Sequence, residues 1–160
     1  MSMAELDRID LQILHELQQN GRLSNQELAD RVSLSPSPCL RRVRRLESEG
    51  YISDYVAVLN PEKIGLKLLA YVTIRLNKVF RASDSPVSQF AQDVQTWPEV
   101  VECYAMSGDM DYLLRVQVED LPQFSKFAMD KLMRHPAVVD MRSSFALQKI
   151  KQTTALPVRR

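Results

Sequence analysis

The spacing of apolar residues changes period near the dipeptide Asn60-Pro61, and no single class of secondary structure accommodates both sides of it. Before it, apolar residues recur every three or four positions; from Leu68 onward they alternate. Asp7 precedes Ile9, Ile13, Leu14 and Leu17 at helical spacing, with Asp10 as a reciprocal capping partner and Gly21 as a left-handed stop, which predicts a helix over about 8–20. Ser24-Asn-Gln-Glu27 is a capping box opening a second helix with Leu28, Ala29 and Val32 on one face. Ser33-Leu34 leaves room only for a tight turn before Ser35-Pro36 starts a third. Prolines at the first positions of a helix break nothing, because the donors they lack have no partner there. Ser37, which precedes Pro38, is an alternative cap.

At 100° per residue, Cys39, Val43, Leu46 and Gly50 share one side of this third helix and Ser37, Arg41, Arg44, Arg45 and Ser48 the other, with Arg42 at the flank. Tyr51 to Leu59 is β-branched and aromatic, and is predicted as a strand, either a wing that touches flanking DNA backbone or a strand that pairs with a partner subunit. Beyond Pro61, Leu68, Ala70, Val72, Ile74 and Leu76 alternate. Asp84-Ser-Pro86 opens a helix with Val87, Phe90, Ala91 and Val94 inward. Strands follow over Val100–Met106 and Tyr112–Val118. Asp120 caps a helix whose inner face is Leu121, Phe124, Phe127, Ala128 and Leu132, and a last strand covers Val138–Leu147. Pro98-Glu-Val-Val-Glu102 matches Pro136-Ala-Val-Val-Asp140, and Phe90-Ala91 matches Phe127-Ala128, as in a duplicated β-α-β unit. The fold class is α+β: an N-terminal helix-turn-helix domain over residues 1–60, and a ferredoxin-like βαββαβ domain over 61–160 with both helices on one sheet face. Leu69, Tyr71, Tyr104 and Met106 fall on the uncovered face, where they favour self-association.

The 160 residues carry a formal net charge of +1, so attraction to a polyanion depends on local placement. Residues 1–60 hold 7 lysines and arginines against 9 acids, and four of those seven are Arg41, Arg42, Arg44 and Arg45. No apolar run is long enough to span a bilayer and no signal peptide opens the chain, which points to the cytoplasm. Cys39, Cys103, His15 and His135 form no metal-ligand spacing; neither a metal, a cofactor nor a catalytic group is expected.

A basic outer ridge on the second helix of a helix-turn-helix suits the major groove of double-stranded DNA, with Ser35, Ser37 and Pro38 at its entering end. A dimer neutralising about six phosphates would bind with a log–log salt slope near −5. The competing reading is a solvated helix surface on which arginines pair with Glu47 or Glu49. Ser107-Gly-Asp-Met-Asp-Tyr112 is open to three readings: a carboxylate pair for acid–base or metal chemistry, a plain hairpin turn with Gly108 at positive φ, or a site for a zwitterion. In the last, free backbone N–H groups meet a carboxylate and an Asp meets an ammonium.

The segments Leu6-Asp-Arg-Ile-Asp-Leu-Gln-Ile-Leu14, Asn20-Gly-Arg-Leu-Ser24, Leu34-Ser-Pro-Ser-Pro-Cys-Leu-Arg-Arg-Val-Arg-Arg-Leu-Glu47, Gly50-Tyr-Ile52, Leu59-Asn-Pro61 and Ser107-Gly-Asp-Met-Asp-Tyr-Leu-Leu114 carry a resemblance over most of the chain. By them the sequence resembles the leucine-responsive regulatory protein/AsnC (Lrp/AsnC) family of transcription regulators. The resemblance implies a winged helix-turn-helix hinged to an effector-binding domain, with homodimers formed through the sheets and assembled into octamers or similar discs. It implies that the segment from Ser35 to Leu46 is the recognition helix. It further implies that Ser107, Gly108, Asp109, Met110, Asp111 and Tyr112, with Ser144 from a neighbour, line a pocket between dimers for a free amino acid, leucine or methionine by analogy. Ligand there would alter assembly and so DNA binding. The alternatives are a ligand-independent architectural DNA-binding protein and a small-molecule enzyme on a ferredoxin-like core.

Overall fold

The computed structural model describes residues 6–77 and 86–158. It divides into two compact units, one holding the chain up to Val58 together with the segment from Lys151, the other Leu59–Ile150.

In the first unit, α1 (Arg8–Gln19) opens on the expected capping box: Asp7 accepts from the Asp10 N–H at 2.9 Å, and Asp10 accepts from the Asp7 N–H at 3.1 Å. Its end differs from expectation. Gly21 is not in the left-handed region; Asn20 turns extended instead, and its side chain accepts from the Arg22 N–H at 3.0 Å. The Ser24/Glu27 box starts α2 (Asn25–Arg31), and Ser33 makes the following turn at φ 56°. Ser35 occupies the cap position of α3 (Pro36–Ser48) with no side-chain bond of its own, so Ser37 lies inside the helix. Gly50, expected on the apolar side of α3, ends that helix at φ 78°, and the N–H groups of Tyr51 and Ile52 both reach the Leu46 carbonyl. Ile13, Leu28, Ala29, Val32, Cys39 and Leu46 form the buried centre of the three helices.

Within one protomer the predicted strand over Tyr51–Leu59 does not form: the segment carries no ladder, and Val56 and Val58 are 76% and 68% exposed. Its β-branched residues favour a pleated surface, but that preference needs an adjoining strand, and none is found among the described residues. The segment from Lys151, expected with the sheet, lies against the helices. The Gln18 amide donates to the Leu156 carbonyl at 3.2 Å and accepts from the Leu156 N–H, beside a groove of about 550 Å³ lined by Leu14, Leu17, Tyr51, Ile52 and Val158.

Tyr55 donates to Glu47 Oε1 at 3.1 Å, and burial together with that carboxylate pushes its phenol up to about 12. The protonated phenol is the form the fold favours, so its contribution to stability is complete below pH 10 and disappears as the pH rises towards 12. An ultraviolet phenolate titration should contain a component near 12 that Tyr55→Phe removes; persistence of that component in the variant would contradict this assignment.

The second unit is built on β1 (Leu68–Leu76), β2 (Val100–Ala105), β3 (Tyr112–Val118) and β4 (Val138–Phe145), ordered β2-β3-β1-β4 and antiparallel throughout. Two interleaved β-α-β crossovers produce that order, as the internal repeat implied. The helices are α4 (Pro86–Asp93) and α5 (Leu121–Phe127), the latter continued by a π-helical turn, Ala128–Leu132. The helix start expected at Asp84-Ser85 lies outside the described residues. Ala70, Val72, Ile74, Leu114, Val116 and Val118 meet Phe90, Val94, Phe124, Phe127 and Leu132 in one core. Two residues expected in it are exposed. Ala91 sits one residue, about 100°, off the Phe90 stripe, and Leu121, 54% exposed, precedes the turn of α5 that faces the sheet. The opposite face of the sheet leaves Tyr71 and Tyr104 exposed, with Met106 just beyond β2.

Candidate nucleic-acid interface and effector loop

The four arginines of α3 form two pairs at i, i+3 spacing, and the fold treats the pairs differently. Arg41 and Arg44 are exposed and, among the described residues, make no ion pair or side-chain hydrogen bond. Arg42 and Arg45 turn back onto α1. Arg42 Nη1 donates to Asp7 Oδ2 at 2.6 Å and to Asp10 Oδ1 at 2.8 Å, and Arg45 Nη2 donates to Asp10 Oδ2 at 2.5 Å. The expectation that Arg45 lies on the outer face is therefore corrected. A helical wheel places Cβ, whereas a long side chain carries its guanidinium to the nearest buried carboxylate.

Asp10 is 1% exposed and its carboxylate receives three donors, two of them charged. Leaving such a group without its partners costs about 3–5 kcal/mol, which is why the inner pair stays seated. The backbone N–H of Asp10 and then the Arg42 guanidinium hold the Asp7 carboxyl below the usual carboxylate range, and Asp7 and Asp10 in turn raise Arg42. Glu47 and Glu49, the partners named by the competing solvated-surface reading, have lesser parts: Glu47 accepts from Tyr55, and Glu49 Oε2 stands 4.0 Å from Arg45 Nε. The signal for the true partners lay in Asp7 and Asp10, which capping alone seemed to account for.

At the entering end of α3, Ser35 and Ser37 are exposed and Pro38 is half-buried. Asn25 Nδ2 donates to the Pro36 carbonyl at 2.8 Å, pinning the start of α3 to α2. The outer face thus presents two hydroxyls and two uncompensated guanidiniums on a helix of 13 residues, donors suited to phosphate oxygens and guanine edges.

The loop between β2 and β3 is fixed at its base. The Met106 N–H donates to the Asp111 carbonyl and the Asp111 N–H to the Ile74 carbonyl, each at 2.8 Å; the Leu76 N–H donates to Asp111 Oδ2 at 2.8 Å. Asp111 therefore ties the loop to the end of β1, and Tyr112 packs its ring 5.2 Å from that of Phe90. Gly108 has φ 115°, and a Cβ there would meet nothing within 4 Å, so the backbone conformation alone calls for glycine. Ser107, Gly108 and Asp109 are exposed and Met110 is half-buried. Ser144 is on the open face of β4 opposite Tyr71, whereas the loop adjoins Ile74 and Leu76, so one protomer does not bring Ser144 and the loop together.

Among the described residues no His, Cys, Asp and Glu cluster is arranged to hold a metal ion, and no helix is long and apolar enough to cross a membrane. Residues 6–53 match a winged helix-turn-helix DNA-binding family, and residues 69–156 match the Lrp/AsnC ligand binding domain. The leucine-responsive regulatory protein of Escherichia coli (strain K12) is 45% identical over 155 residues, 97% of this chain and 93% of that protein. Among solved structures, a transcriptional regulator from Neisseria meningitidis in complex with L-Met superimposes with a TM-score of 0.91 at 47% identity, covering 96% of this chain and 97% of the other. An AsnC family transcriptional regulator from Agrobacterium tumefaciens gives 0.87 at 40%, covering 95% and 97%.

Proposed function

The chain belongs to the Lrp/AsnC family of DNA-binding transcription regulators, and from that premise we propose that α3 enters the DNA major groove while an amino acid held by the loop from Ser107 to Asp109 sets how tightly it binds. The protein is a regulator and not an enzyme, with a winged helix-turn-helix and an amino-acid-binding domain. One observation carries the proposal: Arg41 and Arg44 project from the outer face of α3 with no partner among the described residues. Fluorescence anisotropy with labelled duplex tests it. Binding should weaken steeply with salt, with a log–log slope of several units; salt-independent binding would refute it.

The effector is an amino acid with an apolar side chain, leucine or methionine. The name of the Escherichia coli relative and the L-Met bound to the Neisseria regulator support that choice. Its carboxylate would take backbone N–H groups around Gly108 and its ammonium the free carboxylate of Asp109, since Asp111 is already engaged. The half-buried Met110 would give the apolar side chain a wall, and Ser144 would come from a second copy. Dimers would form through the open sheet face at Leu69, Tyr71 and Tyr104, and assemble into octamers. Effector binding would then act by preferring one assembly over another.

Asp109→Ala is expected to weaken effector binding at least about tenfold, the value of one charge-assisted hydrogen bond, while DNA affinity without effector stays within about twofold. Calorimetry with leucine and methionine on wild type and variant measures this; undiminished affinity removes Asp109 from the site. If a thermal-shift series with all amino acids moved nothing, the ligand-independent architectural reading would replace this one.

A further inference from the structure

Four arginines sit within five positions of α3, yet only two can reach DNA without disturbing the fold. We propose that Asp10 is the positioning residue of the DNA-binding surface: by gripping Arg42 and Arg45 from α1 it sets the seating of α3 and restricts its DNA-facing cations to Arg41 and Arg44. This rests on the assignment of α3 to the major groove.

The geometry makes the grip two-sided. Asp10 Oδ1 takes Arg42 Nη1 at 2.8 Å, and Oδ2 takes Arg45 Nη2 together with the Asp7 N–H, so both oxygens of a carboxylate 1% exposed are committed. With both guanidiniums seated the Asp10 carboxylate is closed to water, and moving Arg45 to a phosphate would deprive it of a charged partner. Arg42 is shared with Asp7, whose side chain is 50% exposed, so the two anions hold it jointly at the rim. Asp10 also completes the capping box of α1, so one carboxylate fixes the start of α1 and the middle of α3 together. Arg42 and Arg45 lie on successive turns of α3, and two anchors one turn apart set the rotation of a helix as well as its position.

That rotation decides which base edges and which phosphates Arg41 and Arg44 face, and base edges carry sequence information that phosphates lack. Freed from Asp10, Arg42 and Arg45 would add mobile cations that any sequence attracts equally. The clamp therefore exchanges raw affinity for discrimination.

The test uses the full chain and two probes: a mixed-sequence duplex, and a preferred duplex selected from a random pool by the wild-type protein. Binding to each is followed against salt for wild type, Arg44→Gln, Arg45→Met and Asp10→Asn, with melting curves to confirm folding. Arg44→Gln should lower the magnitude of the salt slope by about one per bound protomer. Arg45→Met should leave the slope unchanged but reduce the preferred-to-mixed affinity ratio about tenfold or more. Asp10→Asn should steepen the slope, since released guanidiniums find phosphates, and reduce the same ratio; a merely structural acid would not steepen it. If Asp10→Asn fails to fold, Arg44→Gln against Arg45→Met decides alone. The proposal is overturned if Arg45→Met flattens the slope as Arg44→Gln does, or if a folded Asp10→Asn keeps wild-type slope and ratio. Wild-type protein that bound no duplex would remove the DNA-binding assignment itself, a result separable from both.

Discussion

Alanine at both Arg41 and Arg44 is expected to lower affinity for a preferred duplex by on the order of a thousandfold. The proposed dimer would present each arginine twice, and at the low end of about 1–3 kcal/mol per specific contact the four together would supply about 4 kcal/mol. Folding should not suffer, because neither guanidinium has a partner among the described residues. The double variant should therefore melt with wild type, elute at the same size, and fail to shift DNA at protein concentrations that saturate the wild-type complex. Affinity within about tenfold of wild type would show that some other surface carries the contact. The same change at Arg42 and Arg45 should do the reverse, lowering the melting temperature first, because it strips Asp10 of its charged partners.

Phe90→Ala should be the most damaging single change in the sheet unit. Phe90 is fully buried, and its ring lies 5.8 Å from Trp97 and 5.2 Å from both Tyr112 and His135, so it joins α4 to β3 and to the end of α5. Removing it leaves a cavity those rigid neighbours cannot fill, at about 3–5 kcal/mol. For a unit of this size that is a fall in melting temperature of about 12 °C or more. Tyr112 closes the loop and stacks on Phe90, so effector binding should weaken as well. A melting temperature within about 3 °C of wild type would mean the site collapses to fill the gap, and that Phe90 is not the keystone of this core.

The readable parts of the chain were those in which a local rule has one outcome. Asp7/Asp10 and Ser24/Glu27 reciprocate across three residues, so both helix starts could be placed from the sequence. The alternation from Leu68 to Leu76 places Ala70, Val72 and Ile74 inward, and the matching halves after Pro61 predict the crossover topology. The uncovered sheet face followed from the same alternation. Gly108 was legible as a positive-φ position because a hairpin turn requires one.

What failed depended on partners distant in sequence. Tyr51–Leu59 carries strand propensity, but a ladder needs a second strand and none adjoins it among the described residues. Asp109 and Asp111 look equivalent two residues apart; only the packed end of β1, with the Leu76 N–H aimed at Asp111, separates the clamp from the open carboxylate. Arg42 and Arg45 read as part of a basic ridge until α1 brings Asp10 beneath them across 32 and 35 residues. Periodicity and capping thus dictated where most helices and sheet strands begin and which of their faces are apolar. Which charges are spent inside the protein, and which stay exposed on its surface, was settled by tertiary packing. A backbone pattern sets the direction in which a side chain leaves the helix, while the position of its charged end follows from the buried counter-charge that the fold places within reach.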